Sequence, residues 1–179
     1  MKTVVFITGT NAVGKSTLAR NLIERFWGIA ETGKTLTVCK DRRVCLAGPY
    51  DPGKQYGGVD SINNTRSLPD IAAEALKTHD VFICEGSMLD TFGPNLVSTI
   101  YQGDRRLVVC LVASPDELKR RLAGRSGGRL TRFIIAKQDR VLRAARKYRD
   151  YGCNVVCYNT GARSPEEIAD DVQQYIFPQ

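Results

Sequence analysis

At 179 residues the chain has the length of one domain, 1–179, and enough material to bury a core without disulfide or metal staples. Its single histidine, in the polar segment Lys77-Thr78-His79-Asp80, reads as a solvated turn residue; a histidine base, a Ser-His-Asp triad or a zinc site of clustered histidines is hard to assemble, so any general base is expected to be a carboxylate. Six cysteines without a C-x-x-C pair, and no apolar run approaching a membrane span, imply reduced core thiols in a cytoplasmic protein with no membrane partner. The net charge of +7 is unevenly spread: Lys119 to Arg149 holds twelve Lys or Arg against one acid, Asp139. Such a cluster fits a solvated helical face, a lid that grips nucleotide phosphates or a footprint for a polyanion, with the lid preferred.

In chain order, the apolar run Thr3 to Thr8 predicts a strand and Ser16 to Phe26 a helix. Between them stands Gly9-Thr10-Asn11-Ala12-Val13-Gly14-Lys15-Ser16-Thr17, a G-x-x-x-x-G-K-S match in the strand-to-helix context that gives it meaning. Its glycines let successive N–H groups converge on an anion, and the helix behind adds its positive end. Gly9, Asn11, Ala12, Val13, Gly14, Lys15, Ser16 and Thr17 are therefore the expected phosphate contacts, with Lys15 reaching the β- and γ-phosphates and the Ser16 hydroxyl on Mg²⁺.

Leu36 to Cys39 predicts a second strand, followed by Lys40-Asp41-Arg42-Arg43. Asp41 is expected to accept a proton from an attacking hydroxyl, or else to pair with Arg42 or Arg43. The stretch 48–60 is too rich in Gly, Pro and Tyr for regular structure and suits a binding loop, with a mobile surface loop as the alternative. In it, Tyr50 and Tyr56 are available to stack on a base, and Asp60, after Gly57-Gly58-Val59, is a second candidate base.

Ser67-Leu68-Pro69-Asp70 predicts a helix start with Ser67 as cap, running to about Thr78. Val81 to Cys84 predicts a third strand that ends on Glu85, a candidate metal ligand. Leu107 to Val112 predicts a fourth strand, and Ser114-Pro115-Asp116-Glu117 another helix start. From about 120 to 130 a Gly-rich bend carries Arg121, Arg125 and Arg129, arginines able to close over a triphosphate. Leu130 to Tyr151 has helical periodicity with a stripe Arg140, Arg143 and Lys147, which solvation alone would also explain. Asn154 to Tyr158 predicts the last strand, with Asn159 at a turn where an adenine edge can rest, and Ser164-Pro165 opens the last helix. The βαβα order of near-continuous apolar strands argues for α/β architecture, with ligands beyond the strands' carboxyl ends.

Taken together, GTNAVGKST, the acid-bearing CKD, the VFICEG strand, the arginine-rich bend and the strand ending in NT resemble the P-loop kinases of the nucleotide and polynucleotide kinase type over nearly the whole length. The resemblance implies a three-layer P-loop NTPase fold with a five-stranded, mostly parallel sheet, helices on both faces and a short Arg-rich lid. It also implies ATP and Mg²⁺ at Lys15 and Ser16, an aspartate such as Asp41 as base and lid arginines Arg121 to Arg129 over the phosphates. Glu85 stands where the family commonly has an aspartate. The segments Leu46-Ala47-Gly48-Pro49-Tyr50 and Gly57-Gly58-Val59-Asp60-Ser61 further resemble phage-encoded kinases acting on the hydroxymethyl group of 5-hydroxymethyluracil in DNA. That would put the protein in a host cytoplasm with a DNA partner. A kinase for free nucleotides or nucleosides and a non-kinase nucleotide switch are the alternatives; the oligomeric state is not readable.

Overall fold

The computed structural model describes residues 1–41, 43–51, 57–62, 65–124 and 129–178. Seven strands form one sheet in the order β2-β3-β4-β5-β1-β6-β7. At its centre lies β1, Thr3–Gly9, buried along its whole length and parallel to β5 (Val81–Glu85) on one side and β6 (Arg105–Val112) on the other. Parallel pairing continues outward to β4 (Val44–Ala47) and to β7 (Asn154–Asn159). Beyond β4, β3 (Leu36–Cys39) and β2 (Ile29–Thr32) run antiparallel as an edge ribbon.

The expected five-stranded, mostly parallel sheet is thus corrected to a mixed sheet of seven. Of the two unexpected strands, β2 is half polar and β4, though wholly apolar, is only four residues long, so neither stands out in the sequence. The ribbon also reverses the direction of Leu36–Cys39. Only Lys40 to Arg43 separate β3 from β4, and a parallel return needs a crossover of a dozen residues or more.

Among the described residues, five α-helices cover the two faces. Alternate residues of β1 divide between them: Val5 and Ile7 pack under α1 (Lys15–Leu22) and α6 (Pro165–Ile176), against Leu18, Leu22, Ile168 and Val172. Val4 and Phe6 face α2 (Leu68–Thr78), α3 (Pro94–Ile100) and α5 (Arg132–Asp150), against Leu76, Ile100 and Tyr148. Strands sealed on both faces need no polar alternation, which explains their continuous apolar runs. A further short helix, α4 (Pro115–Ala123), leads towards the segment expected to be a lid.

Two of the three expected helix starts obey the capping chemistry, and α5 adds a cap beyond those expected. Ser114 and Ser164 each accept the N–H of the residue three positions on, Ser164 within a full capping box with Glu167, and Thr131 does the same for α5. Ser67 precedes α2 as expected but makes no side-chain cap bond, because a 3₁₀ turn, Thr65–Ser67, already leads into the helix. Trp27 belongs to the core, its Nε1 donating to Gln173 Oε1 at 3.0 Å. His79 is not the solvated residue expected: it is buried at the end of α2, with Nδ1 3.0 Å from Ala75 O, remote from the phosphate loop.

Candidate active site

The loop between β1 and α1 takes the shape its sequence calls for. Gly14 lies in the left-handed region at φ 100° and Ala12 at φ 61°, so the chain curls back before α1 begins at Lys15. Successive amides in such a curl form an anion-binding concavity at a helix N-terminus. Gly9 is obligatory for a different reason: a Cβ there would stand 2.6 Å from Val13 Cγ1 and 2.7 Å from Leu111 O. Lys15 is buried, and its Nζ donates to Thr10 O at 3.0 Å, across the mouth of the loop.

Glu85, the last residue of β5, meets this loop from the adjacent strand. Ser16 Oγ donates to its Oε1 at 3.2 Å, and Tyr50 OH donates to its Oε2 at 3.1 Å. The carboxyl is only 2 % exposed, and this burial raises its pKa above the ordinary glutamate value. Lys15 nearby and the hydrogen bonds from Tyr50 and Ser16 pull it back down. A buried carboxylate beside a hydroxyl offers hard oxygen ligands of the kind Mg²⁺ takes, one or two from the protein with the rest from phosphates and water. Ser16 and Glu85 therefore fit the expected metal.

Asp60 is brought to the same edge by close backbone packing. Gly58 sits at φ 77°, and a Cβ on it would lie 2.2 Å from Glu85 O; Gly48, at φ 86°, would in turn strike Gly58 O at 2.1 Å. The glycines of 48, 57 and 58 thus lock the start and end of the 48–60 stretch onto the end of β5. Asp60 Oδ2 accepts the N–H of Ser87 at 2.7 Å and Oδ1 that of Met88 at 3.3 Å, so the carboxylate caps the turn Ser87–Asp90 while staying solvent-exposed. It stands next to Glu85, whose pKa it helps to raise.

Asp41 does not reach this site, which corrects its expected role. It lies in the β3–β4 turn, where Oδ1 accepts the N–H of Arg43 at 3.1 Å; Arg43 Nε in turn bonds Asp80 at 3.0 Å, just before β5. That is the amino edge of the parallel strands. The phosphate loop lies beyond the carboxyl edge, on the order of 13 Å away along the five residues of β5.

Tyr50 is likewise not the stacker it resembled. It is fully buried, its phenol pKa pushed well above the usual value by that burial and by Glu85. Tyr56 and Arg125 fall outside the described residues. Of the other lid arginines, Arg129 is exposed just before α5, whereas Arg121 is engaged behind the loop. Arg121 Nη1 donates to Val13 O at 3.2 Å and to Thr160 Oγ1 at 2.9 Å, Nη2 to Thr160 O at 2.6 Å, and Nε to Glu117 at 2.6 Å. Together with Ala12, Thr17, Leu18, Thr160 and Pro165 it lines a largely apolar cavity of about 260 Å³ beside the loop. Asn159 closes the neighbouring turn, its Oδ1 accepting Gly161 N–H at 3.0 Å, and places Thr160 rather than itself in the cavity.

Two further residues at the loop went unrecognised in the sequence. Lys137 of α5 is buried, with Nζ 3.4 Å from Asn11 Oδ1 and 3.5 Å from Asp90 Oδ2; Asp90, also buried, pairs with Arg140 at 3.1 Å as well. With Thr10 Oγ1 donating to Ile134 O at 3.1 Å, these contacts fasten the first turns of α5 to the phosphate loop. The available signal was a lysine on the apolar side of an amphipathic helix.

Comparison with known proteins agrees with this geometry. No curated protein sequence matches the chain. Solved structures of similar fold include the YorR protein from Bacillus subtilis in complex with phosphorylated GDP, at TM-score 0.56 and 18 % identity over 97 % of this chain and 95 % of that one. A sugar kinase from Janibacter sp. aligns at TM-score 0.58 and 13 % identity, covering 98 % and 95 % of the two chains. Shikimate kinase from Acinetobacter baumannii, in complex with shikimate, aligns at 0.52 and 16 %, covering 98 % and 93 %. These likenesses establish a fold of the P-loop kinase type. Residues 5–140, which hold the phosphate loop, Glu85 and the start of α5, match an AAA domain model, and the chain belongs to that AAA domain family.

Proposed function

We propose that the protein is an ATP-dependent phosphotransferase acting on a hydroxyl of a nucleic-acid-type acceptor. The observation that carries this reading is the convergence of Lys15, Ser16, Glu85 and Asp60 at one carboxyl edge of the sheet: a cation and a metal-binding pair for a triphosphate, and an open carboxylate beside them. A switch that only binds nucleotide has no need of that last group. The neighbours of similar fold include two named kinases.

In this reading the amides of Gly9 to Thr17 hold the phosphates, and the apolar cavity between Leu18 and Pro165 takes the nucleoside base. Ser16 and Glu85 would hold Mg²⁺, which would supply charge neutralisation to the triphosphate. Lys15 leaves Thr10 O to bind the phosphoryl oxygens. Asp60 accepts the proton of the acceptor hydroxyl as its oxygen bonds to the γ-phosphorus and the bond to the leaving diphosphate breaks. Arg129 closes over the transferred group from the lid side, while Arg121 and Asn159 shape the base cavity.

For the acceptor, the resemblance of Leu46 to Tyr50 and Gly57 to Ser61 points to the hydroxymethyl group of 5-hydroxymethyluracil in DNA, within a phage-infected cell's cytoplasm. The neighbour crystallised with phosphorylated GDP favours a second reading, a free-nucleotide acceptor. Incubation with γ-labelled ATP, Mg²⁺ and a panel of 5-hydroxymethyluracil DNA, unmodified DNA, free nucleosides and nucleotides separates these. Label entering only the modified DNA is the expected result. Label in nucleotides alone selects the second reading, and no transfer to any acceptor by protein that binds ATP refutes the proposal.

A further inference from the structure

The outer face of α5 carries an alternation of rings and cations of which the site described above uses only Arg140, as a partner of Asp90. Phe133, Arg140 and Lys147 recur every seventh residue, with Arg143 between the last two, so they lie in one line along the helix. Phe133 is 62 % exposed although it is a large apolar residue, and Arg140 Cζ stands 5.8 Å from its ring centroid. Lys147 Nζ lies 5.7 Å from the ring of Phe92, which is 5.0 Å from that of the exposed Tyr151. The line ends at Tyr101, whose OH donates to Tyr151 O at 2.6 Å and whose ring is covered by Arg106 at 3.7 Å. Two exposed acids share this side of α5, Asp139 four residues before Arg143 and Asp150 three after Lys147, and the cations Arg140, Arg143 and Lys147 outnumber them.

The line starts at the acceptor side of the site. Ile134, next to Phe133, takes a hydrogen bond from Thr10 of the phosphate loop. Arg140 pairs with Asp90, the last residue of the turn whose first amides bind Asp60. From Phe133 to Lys147 the helix rises about 21 Å. Solvation explains exposed cations, but not an exposed phenylalanine set among them at the mouth of a phosphate site.

We infer that this face of α5 holds a single strand of nucleic acid, with an unstacked base on Phe133 and successive phosphates on Arg140, Arg143 and Lys147. Rings that accept any base, interleaved with cations that track a backbone, are the recognition chemistry of single strands. A free nucleotide has no use for the far half of this line, so the inference selects a polymeric acceptor. It rests on the proposed function for the acceptor's position, though not for the binding itself.

The test is fluorescence anisotropy of a labelled 12-nucleotide single strand with the full chain, without ATP, at 50 and 200 mM salt. With three phosphate contacts and a slope near −0.7 for each, affinity is expected to fall by about 20-fold over that range. Arg143→Gln with Lys147→Gln is expected to flatten the slope towards that of one contact. Phe133→Ala is expected to weaken binding by about 5- to 100-fold at both salts, because stacking is not screened. All three side chains are on the surface and outside the catalytic group, so ATP uptake by calorimetry should stay unchanged in each variant. Wild-type protein that takes up ATP but not the strand overturns this inference and leaves the phosphotransferase reading standing. Strand binding without phosphoryl transfer does the reverse. Equal binding of the strand by Phe133→Ala, or displacement by heparin with no dependence on Phe133, also overturns it.

Discussion

Ser16 Oγ donates to Glu85 Oε1 at 3.2 Å, and this one bond ties the start of α1 to the end of β5. It makes Glu85 the residue through which phosphate loop and acceptor edge communicate. Replacing the acid by its neutral isostere, Glu85→Gln, keeps the volume and an acceptor for Ser16 but removes the metal-binding charge. Phosphoryl transfer should fall at least about 100-fold, and Mg²⁺ dependence should shift to higher concentration. Stability should move the other way. Burial raises the pKa of Glu85 in the folded protein, so the folded state binds more protons than the unfolded one and loses stability as pH rises through the interval between the two values. Glu85→Gln lacks that loss, so its melting temperature should overtake the wild type's as pH increases from 4 to 7. A parallel pair of melting curves would remove the buried charge from the account.

Tyr50 tunes the same carboxyl. Its phenol donates to Glu85 Oε2 and so lowers the acid's pKa against the effect of burial. Tyr50→Phe leaves the packing and deletes the donor, so the pKa of Glu85 rises further. The acidic limb of the kcat/KM profile should therefore move to higher pH, with a stability cost of about 1 kcal/mol at neutral pH. A profile unchanged in Tyr50→Phe would show that Glu85 does not titrate on that limb.

Asp60 and Asp41 make a direct comparison. Asp60→Asn should lower kcat by about 10²- to 10⁴-fold while ATP binding persists, since the amide cannot accept the acceptor's proton. One of its two backbone acceptor bonds survives in the amide. Asp41→Asn, at the opposite edge of the sheet, should leave kcat within about twofold. Steady-state kinetics at saturating ATP decide the matter, and the reverse ranking would return the base to Asp41.

That comparison also marks where the sequence stopped being readable. The phosphate loop was legible because its requirements are contiguous: Gly14 for the left-handed turn, Lys15 and Ser16 one after the other, a strand before and a helix behind. Asp41 was misplaced because four residues, Val44–Ala47, carry too weak a signal to announce β4, so Leu36–Cys39 looked like the second parallel strand. Connection length held the missing information, since Lys40 to Arg43 can only turn the chain back on itself. Asp60 was readable through the Gly57-Gly58 pair before it, although their purpose, close packing against Glu85, is a tertiary fact. Tyr50 and Lys137 were opaque for a related reason. A tyrosine in a Gly- and Pro-rich stretch and a lysine in a basic helix show no local sign that each is buried against a specific partner 35 residues and more away.

Lys15 should separate chemistry from fold. Its Nζ donates to Thr10 O at 3.0 Å, so Lys15→Met keeps the aliphatic stem and gives up that bond to a carbonyl. Transfer should drop by about 10³-fold or more, whereas the melting temperature should change by only a few degrees. Turnover retained in this variant would remove Lys15 from the transition state.

Gly58→Ala probes the lock that delivers Asp60. The residue sits at φ 77°, and the new Cβ would lie 2.2 Å from Glu85 O and 2.7 Å from Glu85 Oε2. Both atoms belong to the end of a buried central strand, so neither can yield cheaply, and the left-handed backbone adds its own cost for a residue with a side chain. The loop must therefore lift away from β5, taking Asp60 off the amides of Ser87 and Met88. A loss of about 2 to 3 kcal/mol in stability is expected. At temperatures where the variant is still folded, kcat should fall as far as it does in Asp60→Asn, and combining the two substitutions should lower it no further. Independent, multiplying effects would mean that Gly58 serves the fold alone and that Asp60 reaches its position without it.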